Sequence, residues 1–278
     1  MATIRIADKA GACYGVERAL ELAWNAVSSS SGDVYTLGPL IHNPRVVSSL
    51  DALGAHEAST VDEAAGATLI LRSHGVTPSE EERARAVCRN VIDATCPFVK
   101  KVHVAVERLM HEGYEVLVVG EKGHPEVEAT LAHAPGARAA SAPDEARELD
   151  LGGKVGVVVQ TTQSLETLAA VLDAIDDGSR EVKLVNTICE ATASRQEAAA
   201  QLASEVDAMV VIGGRNSANT TRLAEICASL CDKTFHIEMA EELDAAWFAG
   251  AEVIGVTAGA STPSAQIASV VEALESLG

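Results

Sequence analysis

Short runs of Val, Ile and Leu recur along the chain, and each ends in a polar tip. TLIL at 68–71, EVLVV at 115–119, VGVVV at 155–159 and AMVVI at 208–212 are apolar at nearly every position. Strands buried on both faces of a parallel sheet have this continuous character, whereas a strand with one wet face alternates. Between the runs lie stretches with helical spacing. After Cys13, for example, Val16, Ala19, Leu20, Ala23, Trp24 and Val27 mark one face of a helix. This alternation predicts an α/β protein with mostly parallel sheets. In such proteins ligand-binding residues stand just beyond the carboxyl ends of the strands.

The pattern repeats three times, the signature of a repeated architecture. Cys13 lies in GACYGVERAL after the strand-like TIRIA, Cys96 in DATCPFV after NVI, and Cys189 in NTICEATASRQEAA after EVKLV. Residues 13 and 96 are 83 apart, and residues 96 and 189 are 93 apart. A second strand in each copy ends in VYTLGPLIHN with His42, EVLVVGEKGHPE with His124, or AMVVIGGRNSAN with Ser217, at offsets of 29, 28 and 28 from the cysteine. A third ends in TLILRSHG with His74, VGVVVQTTQS with Thr161, or EVIGVTAGAS with Ser261, at offsets of 61, 65 and 72. Acidic stretches (VDEAAG, PDEAREL and MAEELDAAW) with a helical reading separate the second and third tips. The expectation is three similar small α/β units at 14–95, 96–188 and 189–278, related by a pseudo-threefold around a central cavity. The N-terminal strand, within 1–13, lies at a junction and can pack with either neighbour.

Composition narrows the class. With 278 residues the chain has room for one to three domains. Hydrophobic residues make up 47% but aromatics only 3%, so Ala, Val and Leu must fill the core. No apolar run approaches the roughly 18 residues of a membrane span, and MATIRIADKAG has no signal-peptide pattern. The expected location is the cytoplasm, with no membrane partner. A net charge of −19 discourages nonspecific nucleic-acid binding. Six cysteines in an intracellular chain argue for metal binding, catalysis or burial, and against a disulfide framework.

The tips carry the candidate chemistry. Pro97 biases Cys96 to an extended or turn conformation and opens a helix at its first position. Three strand-end thiols suit a soft metal: zinc with three thiolates and a water, or an iron–sulfur cluster. Clusters take four cysteines as a rule, so three would leave one iron open to a substrate oxygen. The His, Ser, Thr and Asn tips form a neutral, donor-rich cradle suited to phosphate oxygens. Glu126 has two readings. A glutamate in a helix's first turn complements the helix dipole, yet two residues from His124 it is also the leading proton donor for breaking a C–O bond. Cys88, Cys227 and Cys231 read as small hydrophobes. His56, His103, His111, His133 and His236 lie away from the tips and read as ordinary surface or half-buried histidines. GGRN lacks the GxGxxG and GK[ST] contexts of nucleotide loops.

Nine elements occur in order: GACYGVERA, GPLIHN, RSHGV, DATCPFVKKVH, GHPEVEAT, QTTQS, NTICEAT, NSAN and TAGAST. On these the chain closely resembles the 4-hydroxy-3-methylbut-2-enyl diphosphate reductase family, the last enzymes of the methylerythritol phosphate route to isoprenoids. The resemblance implies a [4Fe–4S] cluster on Cys13, Cys96 and Cys189, open at one iron and converted to [3Fe–4S] or lost on exposure to oxygen. It implies a diphosphate pocket from His42, His74, His124, Ser217, Asn219 and Ser261, with Glu126 delivering protons and Thr161 and His124 beside it. Two electrons and two protons would remove the substrate hydroxyl as water, giving isopentenyl and dimethylallyl diphosphate. The implied partner is a ferredoxin or flavodoxin, docking on a local basic patch for which Lys100 and Lys101 are candidates. The chain would be a monomer or homodimer. Ala218 stands where many relatives have a second serine, which puts one phosphate contact in doubt. Ala129 replaces a common glycine without expected consequence. A three-thiolate zinc hydrolase and a noncatalytic iron–sulfur or diphosphate sensor are the competing readings.

Overall fold

A computed structural model describes residues 2–176 and 178–277. The chain opens with β1 (Thr3–Ile6) and α1 (Tyr14–Ser29). Next come β2 (Val34–Leu37), α2 (Pro44–Leu53), β3 (Ala55–Ala58), β4 (Thr68–Leu71), α3 (Pro78–Val87) and β5 (Asn90–Asp93). The same order then recurs from α4 (Pro97–His111): β6 (Glu115–Val119), α5 (Pro125–Ala132), β7 (Arg138–Ala140), α6 (Pro143–Arg147), β8 (Lys154–Val159), α7 (Leu165–Ile175) and β9 (Glu181–Leu184). The last round is α8 (Glu190–Ala203), β10 (Ala208–Ile212), α9 (Ala218–Leu230), β11 (Thr234–Ile237), β12 (Val253–Ala258) and α10 (Ser264–Leu277). Five of these helices begin on proline, whose missing N–H and fixed φ suit a first position.

Among the described residues twelve strands form three four-stranded sheets, and every pairing is parallel. Their orders are β3-β2-β4-β5, β7-β6-β8-β9 and, read in the same sense, β11-β10-β12-β1. One topology is therefore used three times. In each sheet the strand leading to a cysteine is the edge strand beside the third-tip strand. The N-terminal strand obeys the rule by pairing with β12, Thr3 opposite Val253 through Ile6 opposite Val256.

Continuous apolar strands pack on both faces because successive side chains point to opposite sides. In the second sheet Leu117, Val119, Val155, Val157 and Val159 meet Leu168, Val171 and Ile175 of α7. Val116, Val118 and Val158 meet Val102, Val106 and Leu109 of α4 and Val127 of α5. In the third, Met209 and Val211 meet α8 and α9, while Val210, Ile212, Ile254 and Val256 meet α10. Each such Val, Leu or Ile contributes about 1.5–3 kcal/mol. Cys227 and Cys231 sit in this core, and burial pushes the Cys227 thiol up to about 12, so it stays protonated.

Two features depart from expectation. The strands β3, β7 and β11 were not visible in the pattern: AHEA and RAA lack the β-branched and aromatic residues that mark strands, and in TFHI three of four positions are half-buried. The acidic stretches also differ among copies. PDEAR is the short helix α6, but VDEA and the MAEELDAAW segment form 3₁₀ turns at Val61–Ala64, Ala240–Glu242 and Ala245–Phe248.

The chain divides into two compact units. One contains the residues up to Val16, His42–Arg45 and those from Glu190 onward; the other contains Glu17–Ile41 and Val46–Cys189. No helix among the described residues is long and apolar enough to cross a membrane.

Candidate active site

The larger unit brings six of the candidate residues to the ends of its two sheets. Glu126 lies in the first turn of α5, which Pro125 opens and His124 caps: the His124 Nδ1 accepts the Glu126 N–H at 3.1 Å. With Nδ1 accepting, the neutral ring carries its proton on Nε2 and can donate from there. Glu126 is 3% exposed, yet both carboxyl oxygens are engaged by one residue. Oε1 accepts the Thr161 N–H at 2.6 Å and Oε2 accepts the Thr161 hydroxyl at 2.8 Å. Burial pushes the Glu126 carboxyl up to about 7, and the two Thr161 bonds oppose that only in part. The pair therefore offers a carboxyl that holds or gives up a proton near neutrality.

Thr161 also holds the backbone of a cysteine. Its carbonyl accepts the Cys189 N–H at 3.0 Å, and at the equivalent place in the first sheet the Ser73 carbonyl accepts the Cys96 N–H at 2.9 Å. His74 follows Ser73, and its ring meets that of His124 edge-on with centroids 5.8 Å apart. Cys96, Ser73–His74, His124, Glu126, Thr161 and Cys189 thus form one linked series.

The smaller unit holds Cys13, His42, Ser217, Asn219 and Ser261. The Cys13 N–H bonds the Ala260 carbonyl at 3.1 Å, the third instance of a cysteine tied to a third-tip strand end. Ser261 donates its hydroxyl to the His42 carbonyl at 3.0 Å. Asn43 donates to the Ser261 carbonyl at 2.8 Å. Ser217 caps α9, accepting the Thr220 N–H, and Ala218 begins the helix without a hydroxyl. Asn219 is 4% exposed, and among the described residues neither amide atom has a hydrogen-bond partner. A buried amide in that state calls for a ligand or a water.

Several contributors carried no signal in the sequence. Arg18 donates to the Thr95 and Asp93 carbonyls just ahead of Cys96, both at 3.3 Å. Arg195, 3% exposed, donates to the Gly11 carbonyl just ahead of Cys13 at 2.8 Å. Each arginine lies five or six residues after a cysteine in its own helix, so one device occurs twice. His103 corrects an expectation. It is 7% exposed and lies against Gly75, beside the His74 tip, because two turns into α4 its side chain faces that corner. His236 likewise bonds the Gly213 carbonyl at a tip, at 2.9 Å. His56 and His111 are exposed as expected. Of the proposed docking lysines, Lys100 pairs with Asp93, and Lys101 lies over the Phe98 ring at 4.9 Å.

The donor set fits an iron–sulfur group in its chemistry: three half-buried cysteines outside any disulfide stand at equivalent strand ends, each with its backbone N–H bonded to a strand-end carbonyl. Among the described residues no three His, Cys, Asp or Glu side chains gather closely enough for a single metal ion. Thiolates that bind different irons of a cluster do not converge on one point.

Three parallel sheets of one topology, each ending its edge strand toward a cysteine, with a proton-holding carboxyl among histidine and hydroxyl tips, define an α/β enzyme class. The chain belongs to the LytB protein family, whose profile matches residues 4–275. A Geobacter sulfurreducens protein named 4-hydroxy-3-methylbut-2-enyl diphosphate reductase is 50% identical over 273 residues, covering 98% of this chain and 96% of the relative. The Aquifex aeolicus protein of that name is 48% identical over 268 residues, covering 95% and 92%. A solved (E)-4-hydroxy-3-methyl-but-2-enyl diphosphate reductase, called the terminal enzyme of the non-mevalonate pathway, gives a TM-score of 0.71 at 45% identity, covering 99% of this chain and 100% of that one. The Plasmodium falciparum E-1-hydroxy-2-methyl-but-2-enyl-4-diphosphate reductase gives 0.91 at 26% identity, covering 98% and 87%. The family inferred from nine motifs is the family these likenesses give.

Proposed function

We propose that this chain reduces (E)-4-hydroxy-3-methylbut-2-enyl diphosphate. The substrate hydroxyl leaves as water with uptake of two electrons and two protons, and isopentenyl and dimethylallyl diphosphate result. Cys13, Cys96 and Cys189 would hold a [4Fe–4S] cluster, which when bound would relay electrons and supply a Lewis-acidic iron. A ferredoxin or flavodoxin replenishes those electrons.

The protein's own part is proton supply and placement of the diphosphate. Glu126 holds a proton near neutrality and gives it up from an Oε that Thr161 orients. His124, with its proton on Nε2, donates to a phosphate oxygen. His42, His74, Ser217, Asn219 and Ser261 complete a set of donors that binds the diphosphate largely without fixed positive charge. The observation that carries this reading is the buried Glu126 carboxyl, pushed up to about 7 and held on both oxygens by Thr161.

The test is anaerobic purification with iron and sulfide assay, then turnover using a reduced viologen dye. Bound iron and sulfide with release of the two products is the expected result. Zinc in place of iron would overturn the cluster, and a loaded protein that never turns over would leave only the sensor reading.

A further inference from the structure

The turn that carries His74 is fastened from several directions. Arg72, two residues before it, donates from Nε to the Gly75 carbonyl at 3.1 Å and from Nη1 to the Leu37 carbonyl at 3.3 Å. One guanidinium thus bridges the turn to the end of β2. Its seat depends on glycine: Gly38 has φ +66°, and a Cβ there would lie 3.1 Å from Arg72 Nη1. Burial lowers the Arg72 pKa and nearby Glu80 opposes the change, so the cation has left bulk water for these carbonyls.

A second fastening comes from α4. Gly75, at φ +83°, lies under the His103 ring so closely that a Cβ would be 2.7 Å from Cε1 and 3.2 Å from Nε2. Among the described residues Nε2 of His103 is buried without a hydrogen-bond partner, so the ring meets the turn by shape. It stacks on His133, centroids 4.0 Å apart and planes 21° apart, and His133 Nδ1 is 2.8 Å from Glu107. Ser73 completes the set: its N–H and hydroxyl both go to the Leu40 carbonyl, at 3.2 and 2.9 Å, and its own carbonyl takes the Cys96 N–H.

We propose that Arg72 and His103 are positioning residues that set His74 against His124 for the substrate diphosphate. The inference rests on the reading of His74 as a diphosphate-binding residue. Small displacements of binding groups are costly, since about 1 Å can lower a rate by roughly 100-fold. Arg72 and His103 act through the turn and touch no substrate themselves.

A double-mutant cycle on the anaerobically purified holoenzyme separates positioning from general stability. Arg72→Met is measured alone and with His74→Asn, reading kcat, KM and the affinity for inorganic pyrophosphate by calorimetry. Alone, Arg72→Met is expected to raise KM and weaken pyrophosphate binding by about tenfold; beside His74→Asn the further loss falls below about twofold. His103→Leu is expected to show the same dependence at roughly threefold. Arg72→Gln, which keeps an amide donor, guards against a folding failure and should retain part of the affinity. Equal losses in both backgrounds, or no loss in either, overturn the proposal. If His74→Asn alone leaves KM and pyrophosphate affinity unchanged, the reading of His74 is what fails.

Discussion

The candidate residues of the two compact units differ in what they can do with a proton. In the larger unit His74, His124 and Glu126 stand beside Cys96 and Cys189, and the one carboxyl is buried and pushed up to about 7. In the smaller unit Ser217, Asn219 and Ser261 accompany Cys13 and His42, and none of these five is a carboxylate. Both sets stand on the same sheet topology at the same strand ends. They differ in their tip residues, so under the proposed function the larger unit would combine a proton-holding carboxyl with anion-binding histidines, and the smaller unit would add anion-binding groups without a carboxylate.

The sharpest way to break that contrast is Glu126→Gln. The amide keeps the shape and an acceptor for the Thr161 N–H but holds no transferable proton, so turnover should fall by about 10²–10⁴ while pyrophosphate affinity stays within about twofold. Parental turnover would remove Glu126 from the reaction. The same variant tests the pKa. Folding raises the Glu126 pKa above its ordinary value, so the folded chain binds the proton more tightly than the unfolded one. That contribution is fully present below the ordinary carboxylate range and is lost as pH rises through about 7. Glu126→Gln should therefore gain about 3 kcal/mol on the parent between about pH 4 and about pH 9 in urea unfolding. A difference that does not change with pH would refute the shift.

Much of this contrast was legible before any coordinates. Continuous Val/Ile/Leu runs alternating with helical spacing follow the pattern of buried parallel strands, and their recurrence at matching intervals placed Cys13, Cys96 and Cys189 at equivalent strand ends. What stayed hidden depends on tertiary approach. An arginine that donates to backbone carbonyls, as Arg18, Arg72 and Arg195 do, leaves no partner residue type to find. His103 differs from a surface histidine only in which way its helix faces. The strands AHEA and RAA are held by neighbours and not by their own propensity.

The smaller unit can be perturbed without touching a candidate residue. Gly259 follows β12, and a Cβ on it would lie 2.0 Å from Thr220 Oγ1, inside the first turn of α9 that also carries Asn219. Thr220 is fully buried, so it has little room to yield. Gly259→Ala should cost about 1–3 kcal/mol of stability and weaken pyrophosphate binding, with the Glu126 pH dependence intact. If the stability loss came without a binding loss, α9 would not present the anion-binding groups.

Asn219 gives the smallest effect and the most pointed one. An amide buried with neither end bonded lowers the stability of the ligand-free fold, because its lost hydration is not replaced. Leucine has nearly the same shape and no polar atoms to satisfy. Asn219→Leu should therefore stabilise the ligand-free protein by up to about 1 kcal/mol while weakening pyrophosphate binding by about tenfold, the worth of one or two good hydrogen bonds. The two changes have opposite signs, which a residue serving only the fold cannot produce. A variant less stable than the parent with unchanged affinity would mean that an ordered water, and not the substrate, completes Asn219, and the smaller unit would lose its clearest anion-binding group.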